Sequence, residues 1–539
     1  MYLSAFKIKT KNICKIFCTV TFILIFYIQL KAQQAPTIKI ENDYKSWGWD
    51  AWVMQNDLIT VATVPVIGAR IMQYDLDGHP SIYVNPGELG KTYTPSSSAP
   101  SRNFGGFKNW PAPQSEWNWP PPPTLDYGSY EAVADTSIDS VSLVVTSPTE
   151  QWLTPDLRFK RRTTVYKNTS RVKVEQTIIN ESSEPQHWSV WDITQTITTH
   201  SGQNDFENFW VYFPINPESS YENDGIYLDL RGASTPSSGW TGEVAPGIYG
   251  VQYSPDYQKL FADSHIGWVC YVDELNGYAY AKTFRIVKDA DYPDDGAHVE
   301  IWLNNFPYYV EVEVVSPIVE LDADGGSYTF TEDWYAAKVN GPIISVTNAG
   351  AVKSFEYDFK TEHFTGEFGV FNVGSAQLEF TDSLGTVLDS SSAYSVTPLE
   401  TFTLDDSTSA PEEADSVRII IKDNDGTKIG VLASEALEKM TTGMYFKKNI
   451  NPIDMMLEQN YPNPFNPKTV ISWQLPVGSY VDLSIYNIMG QKVYTLVSEN
   501  QKAGNHKIEW NASGISSGIY LYRIKAGDFV QTKRMLLIK

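Results

Sequence analysis

RFKRRTTVYKNTSRVKVEQTIINESSEPQHWSVWDITQ, residues 158–195, alternates strand-like runs with turn residues such as Asn168 and Pro185. Val, Ile, Thr and Trp recur with polar residues between them, the period-two pattern of strands with one face buried.

The same grammar extends outward from this stretch. LITVATVPVIGARIMQYDLDG at 58–78 repeats it, and from Pro36 to about Gly341 no long amphipathic helix interrupts it. A second segment, 342–434, holds SAQLEFTDSLGTVLDSS and DSVRIIIKDNDGTKIGVLAS, which read as hairpins closed by Leu-Gly and Asp-Gly turns. Residues 435–456 have no sustained period and read as a linker, and 457–539 are again rich in short strands. The expected class is all-β: a large domain at 36–341, a small β-sandwich at 342–434, and a small sandwich at the C-terminus. The lack of a fixed repeat argues against solenoids and propellers.

The 539 residues carry a net charge of −23, with 13% aromatic residues and 31 prolines. That charge repels nucleic-acid phosphates and anionic membranes, so neither is an expected partner. Lys7, Lys9, Lys11 and Lys15 precede the apolar run Ile16 to Ile28, and Ala32 offers a small residue before Gln33. Residues 1–32 thus read as a secretory signal peptide, the run being shorter than the roughly 20 residues that span a bilayer. Cys14 and Cys18 lie within it, which leaves Cys270 alone and implies no internal disulfide.

In the C-terminal block, LEQNYPNPFNPKTVISWQLP at 457–476 opens a module in which Ile471, Trp473 and Leu475, then Val481, Leu483 and Ile485, share faces. SIYNIMGQKVY sets Gly490 between two strands as a hairpin would, and AGNHKIEW, SGIYLYRI and KRMLLIK follow. In their order, these landmarks resemble the type A sorting domain of type IX secretion. The resemblance implies an immunoglobulin-like sandwich, the type IX machinery as a partner, and passage through the periplasm to the medium or the outer-membrane surface.

The densest chemistry is RNFGGFKNWPAPQSEWNWPPPPTLDYGSYEA, residues 102–132, where Trp110, Trp117 and Trp119 sit among prolines with Arg102, Gln114 and Glu116 nearby. Indole faces stack on the C–H faces of sugars while amides, carboxylates and guanidinium groups bind hydroxyls, so this composition suits a carbohydrate cleft. The same tryptophans would equally serve as core beneath a long loop. Trp191 and Gln195 in WSVWDITQ, Trp302 in HVEIW and Glu311 complete the expected sugar-binding set. Arg158, Arg161 and Arg162 cluster on one strand, and alternation sends Arg161 and Arg162 to opposite faces. Arg161 is the candidate for the cleft, with an acidic sugar as its partner.

The large domain resembles the galactose-mutarotase-like β-supersandwich, and more closely an uncharacterised branch with a GG-x3-WPAPQ signature, here Gly105, Gly106 and Trp110 to Gln114. Four blocks carry the resemblance: residues 61–78, the Trp-Pro loop, 158–195, and HVEIWLNNFPYYVEVEVVSPIVELDADGGSYTFTEDW at 298–334. It implies a carboxylate base and an acid that flank one sugar, the reaction of an aldose 1-epimerase. The spacing to ELDADGG implies Glu300 as the base, with Glu311 and Glu313 on the next strand. The histidine expected as the acid has no counterpart in register: its slot falls near Asp192 or Gln195, and His187 comes about five residues early. Asp192 and His187 are thus the candidate acids.

Asp-Gly clusters at 75–78, 289–296, 322–325 and 423–426 are oxygen-rich loops of a kind that can hold calcium, but none runs into a twelve-residue loop closed by glutamate. They read as turns, and no metal or cofactor is expected. The leading expectation is an exported carbohydrate-binding protein. The alternatives are an aldose 1-epimerase-like or other carbohydrate-active enzyme, and a structural or adhesive surface protein.

Overall fold

The computed structural model describes residues 35–437 and 456–538, apart from positions 155, 201, 220, 222–224, 359–360, 458–459, 461–462, 464, 476–478, 489, 503 and 528. The expected signal peptide at 1–32 and most of the expected linker at 435–456 lie outside the described residues. The chain divides into two compact units, Met1–Glu435 and Ala436–Lys539.

The first unit is built on two large antiparallel sheets. Twelve strands form one, whose central part runs in the order Arg70–Leu76, Phe107–Ala112, Gln186–Thr196, Tyr308–Val315, Val299–Asn305, Gln258–Ala262 and Ile226–Asp229. Ten strands form the other, among them Leu157–Tyr166, Val172–Asn180, Gly326–Lys338, Tyr278–Phe284 and Trp268–Asp273. The three runs of residues 158–195 lie in strands of both sheets, because Val172–Asn180 pairs with Leu157–Tyr166 in the second while Gln186–Thr196 crosses to the first. Alternation along each strand sends Val172, Val174 and Ile178, with Val190, Ile301, Leu303 and Val312, into one core between the layers. This is the expected all-β supersandwich.

The core also holds charge. Arg70 and Asp126 are fully buried and meet at 2.6 Å, Lys282 bonds Asp192, and Gln176 Nε2 donates to Glu332 at 2.6 Å. Each group finds a partner there, as a lone buried ion would cost several kcal/mol. The Gly105-Gly106 pair is explained by backbone crowding. Both have positive φ (84° and 79°), and a Cβ on Gly105 would stand 2.3 Å from the Tyr83 carbonyl oxygen.

Ser345–Ala436 adds a four-stranded and a five-stranded sheet, in which Gly385 and Gly426 take the left-handed turn positions (φ 81° and 83°) of their hairpins. Its Val346, Ala351 and Phe371, with Ile343 just before it, join Tyr335, Ala337 and Val339 of the large domain in a shared cluster. The second unit has a three-stranded and a four-stranded sheet around Ile471, Trp473, Leu475, Val481, Leu483 and Ile485, all buried. Gly490 has φ 77° in the turn between the strands Ser479–Asn487 and Lys492–Gln501.

The Asp-Gly clusters are turns. Asp77, Asp289, Asp294, Asp295 and Asp324 have positive φ, and Asp423 Oδ1 accepts the N–H groups of Asp425 and Thr427 at 2.9 and 2.8 Å.

Candidate functional site

Five neighbouring strands of the twelve-stranded sheet turn one face away from the second sheet, and their register assembles a cleft of about 770 Å³ there. Trp191 pairs with Trp110, Gln195 with Glu311, Glu311 with Trp302, Glu313 with Glu300, and Trp302 with Lys259. Because paired residues share a face, this ladder sets tryptophans, carboxylates, amides and lysines side by side.

The floor is a net of charge-assisted hydrogen bonds. Trp191 Nε1 donates to Glu313 Oε2 at 2.7 Å, and Gln195 Nε2 to Glu311 Oε1 at 2.8 Å. Lys259 Nζ lies 2.9 Å from Glu313 and 2.5 Å from Glu300, and 4.4 Å from the centre of the Trp191 ring. Lys108 Nζ is 3.6 Å from Glu311 and 4.1 Å from the Trp110 ring centre. Burial drives the titration of these groups toward their neutral forms, lowering Lys108 and raising Glu311 and Glu300. Lys259 is the exception: the burial penalty is outweighed by Glu300 and Glu313, and its ammonium is held above the ordinary value.

Aromatic rings form the walls. Trp110 is fixed by its Nε1 donating to Asp126 at 2.9 Å and touches Trp117, Trp119 and Trp191 edge to face. Trp119, Tyr257 and Phe306 line the opening with 60%, 50% and 78% of their surface exposed. Exposed aromatic rings are costly unless something covers them, and three around one cleft form a patch of the kind that binds ligands.

Of the ten residues expected to bind sugar, Arg102, Trp110, Gln114, Trp119, Trp191, Gln195, Trp302 and Glu311 line this cleft. Two do not. Trp117 is buried behind Trp110 with its Nε1 on the Pro111 carbonyl at 2.9 Å, so it supports the wall. Arg161 points into the space between the sheets, where its Nη1 donates to Asn109 at 3.2 Å and burial lowers it to about 10. Its neighbours Arg158 and Arg162 pair with Glu181 and Asp135. The arginine cluster therefore has no part in the cleft.

The expected catalytic residues are dispersed. Glu300 lies under the floor, fully buried beside Lys259. Asp192 is on the opposite face of its strand, bonded to Lys282 between the sheets, because the period-two alternation that sends Trp191 to the cleft sends Asp192 inward. His187 lies at an outer surface, 3.5 Å from Glu320, and lines a different crevice with Trp188 and Ile318. Neither acid candidate reaches the cleft.

Sequence reasoning missed Lys259, Arg231, Tyr257, Phe306 and Tyr309. Phe306 and Tyr309 lie in the NNFPYY hairpin of a quoted block, where its turn set aromatics beside Trp302. Lys259 and Phe261 share a strand face by alternation, but which strand would lie beside it was not written in local sequence.

Among solved structures the chain is similar to a galactose mutarotase-like protein from Clostridium acetobutylicum, with 12% identity over 57% of this chain and 99% of that one and a TM-score of 0.39. A galactose mutarotase related enzyme from Lactobacillus acidophilus shows 12% identity over 54% and 98%, TM-score 0.35. A galactose mutarotase-like protein from Lactobacillus casei shows 11% over 53% and 99%, TM-score 0.34. No curated protein sequence matches the chain. Residues 459–539 match the family described as the secretion system C-terminal sorting domain. No helix among the described residues is long and apolar enough to cross a membrane. The chain thus ends in a type IX sorting domain and is an exported protein, secreted or held at the cell surface.

Proposed function

We propose that this exported protein binds carbohydrate, an oligo- or polysaccharide, in the cleft of its large domain. The observation that carries the reading is the pairing of an exposed aromatic rim, Trp119, Tyr257 and Phe306, with a floor in which Gln195 is hydrogen-bonded to Glu311 and Lys259 to Glu313, and Lys108 is ion-paired with Glu311. Rings stack on sugar C–H faces while the floor meets the hydroxyls, and buried polar groups set in fixed positions are what gives such a site selectivity. The volume of about 770 Å³ lies in the range of sites for drug-sized ligands and suits more than one sugar ring.

A second reading, catalysis, is favoured by Glu300. It is buried, its carboxyl is raised by that burial, and Lys259 links it to Glu313, which lines the cleft. A carboxyl whose protonated form is favoured by burial can donate a proton. The epimerase pairing needs a partner acid across the sugar, and Asp192 and His187 are both outside the cleft, so binding is the stronger reading.

A glycan array probed with the full-length protein tests binding, and polarimetry on fresh α-glucose and α-galactose tests epimerisation. Retention of defined glycans without a change in mutarotation rate is the expected result. Absence of any retained glycan contradicts the reading.

A further inference from the structure

Four cations line the cleft, and three are matched: Lys108 by Glu311 at 3.6 Å, Arg231 by Asp229 at 3.3 Å, and Lys259 by Glu300 and Glu313 at 2.5 and 2.9 Å. Arg102 is different. Its guanidinium lies over the Tyr93 ring, 3.6 Å from the ring centre, its Nε has no hydrogen-bond partner, and among the described residues no carboxylate lies within ion-pair distance of it. Stacking restrains the guanidinium while leaving its in-plane donors free, the state in which arginine binds a carboxylate through two parallel hydrogen bonds.

The charges are also ordered along the cleft. Asn103, next to Arg102, donates through Nδ2 to the Tyr309 hydroxyl at 3.3 Å, which sets Arg102 at the Tyr309–Asn304 end of the strand pair. Glu313 and Glu300 pair at the other end, four residues or about 13 Å along the strand, and Asp294 acts electrostatically on Glu300 there. At that end Asp294, Glu300 and Glu313 stand against Lys259 alone, whereas Arg102 has no carboxylate partner among the described residues, so an anionic group entering the cleft is drawn toward the Arg102 end.

We propose that Arg102 reads a carboxylate, and that the ligand of the cleft is an acidic glycan whose uronate group is held by the Arg102 guanidinium while its rings lie against the aromatic rim. This rests on the reading of the cleft as a carbohydrate site. It moves acidic-sugar recognition from the strand 157–166, whose arginines are paired or buried, to the loop before Gly105.

The test is titration calorimetry of the full-length protein with a panel of uronate-containing oligosaccharides and the same oligosaccharides after carboxyl reduction. Wild type is expected to prefer the acidic form. Arg102→Gln should weaken acidic ligands by about 10- to 100-fold, the usual effect of losing hydrogen bonds to a charged group, and change reduced ligands by less than about twofold. Arg102→Lys, which keeps the charge without the fork, should fall between them. Arg102 is half-exposed, and an unchanged melting temperature establishes that each variant is folded. Equal affinity for acidic and reduced glycans, or an Arg102→Gln protein that binds acidic glycans like wild type, overturns the proposal while the carbohydrate reading stands. Binding of sulfated but not of uronate glycans also overturns it. No binding to any member of the panel sinks both.

Discussion

Lys259 Nζ, in the cleft floor, stands 2.5 Å from Glu300 Oε2 beneath it, and both side chains are buried. One ammonium there serves two carboxyls, since Glu313 is 2.9 Å away on its other side. The pairing is what lets a strand carry Glu300 where bulk water does not reach.

Lys259→Met should destabilise the protein by about 3–5 kcal/mol at pH 7, the cost of leaving a buried partner unpaired. The pH dependence has a defined sign. Burial raises Glu300, so its folded form holds a proton where the unfolded chain has released it, and stability is lost as pH rises from the ordinary carboxyl value toward the raised one. Without the lysine this loss grows. Denaturant unfolding at pH 5 and pH 8 should show the deficit of the variant shrinking on the acid side, and a deficit independent of pH would contradict the pairing.

A second buried carboxylate should give the opposite slope. Asp273 lies within 3.0 Å of His79 and 2.7 Å of His200, and despite the penalty of burial these contacts push it down to about 2. Its contribution is present above the ordinary carboxylate range and is lost as pH falls through about 2. His200 is raised above its ordinary 6.5, since hydrogen bonds to Asp273 and Asp205 outweigh desolvation. Its contribution is complete below 6.5 and is lost as pH rises through the higher value. Asp273→Asn should lower the melting temperature at pH 5.5 and flatten the decline of stability that sets in above pH 6.5. An unchanged slope would refute the assignment.

Gly105→Ala should be among the most damaging single methyl additions in the large domain. The residue has φ 84°, and the added Cβ would meet backbone atoms of Tyr83, Val84 and Asn85 at 3.0 Å or less. A loss of more than about 2 kcal/mol is expected, and Gly78→Ala, which meets nothing within 4 Å, provides the control for positive φ alone. Similar losses in the two variants would show that close packing at Gly105 is not the cause.

Export should depend on the C-terminal module. In a host with the type IX machinery, deletion of residues 457–539 should leave the protein in the periplasm, while the full chain reaches the surface or the medium. Fractionation and immunoblotting read the difference, and normal export of the truncated chain would contradict it.

Period-two alternation made the fold class and much of the cleft legible in sequence. It placed Trp473 and Leu483 on buried faces, where the core holds them, and composition picked out Trp191 and Gln195, which the structure sets on one face of the cleft. It does not give the sign of a face, which is why Arg161 and Arg162 could be separated but Arg161, expected in the cleft, lies between the sheets instead. Asp192 shows the same limit: one step along the strand from Trp191 exchanges cleft for core. Lys259 and Arg231 were beyond reach because strands of the sheet's far edge meet Val299–Asn305 only through long-range pairing. Arg102 was visible as a residue beside tryptophans, but its lack of a carboxylate partner exists only in three dimensions.

If the aromatic rim over the charged floor is a glycan site, Trp119 at its mouth should contribute to binding but little to the fold. Its ring is 60% exposed at the mouth of the cleft, so Trp119→Ala should alter stability by less than about 0.5 kcal/mol. Titration calorimetry with a glycan retained on the array should then show affinity reduced by about 0.5–1.5 kcal/mol or more, the scale of an aromatic stacking contact. An unchanged melting temperature with weakened glycan binding is the predicted result. Unchanged binding by Trp119→Ala and by the Tyr257→Ala and Phe306→Ala variants would contradict the account.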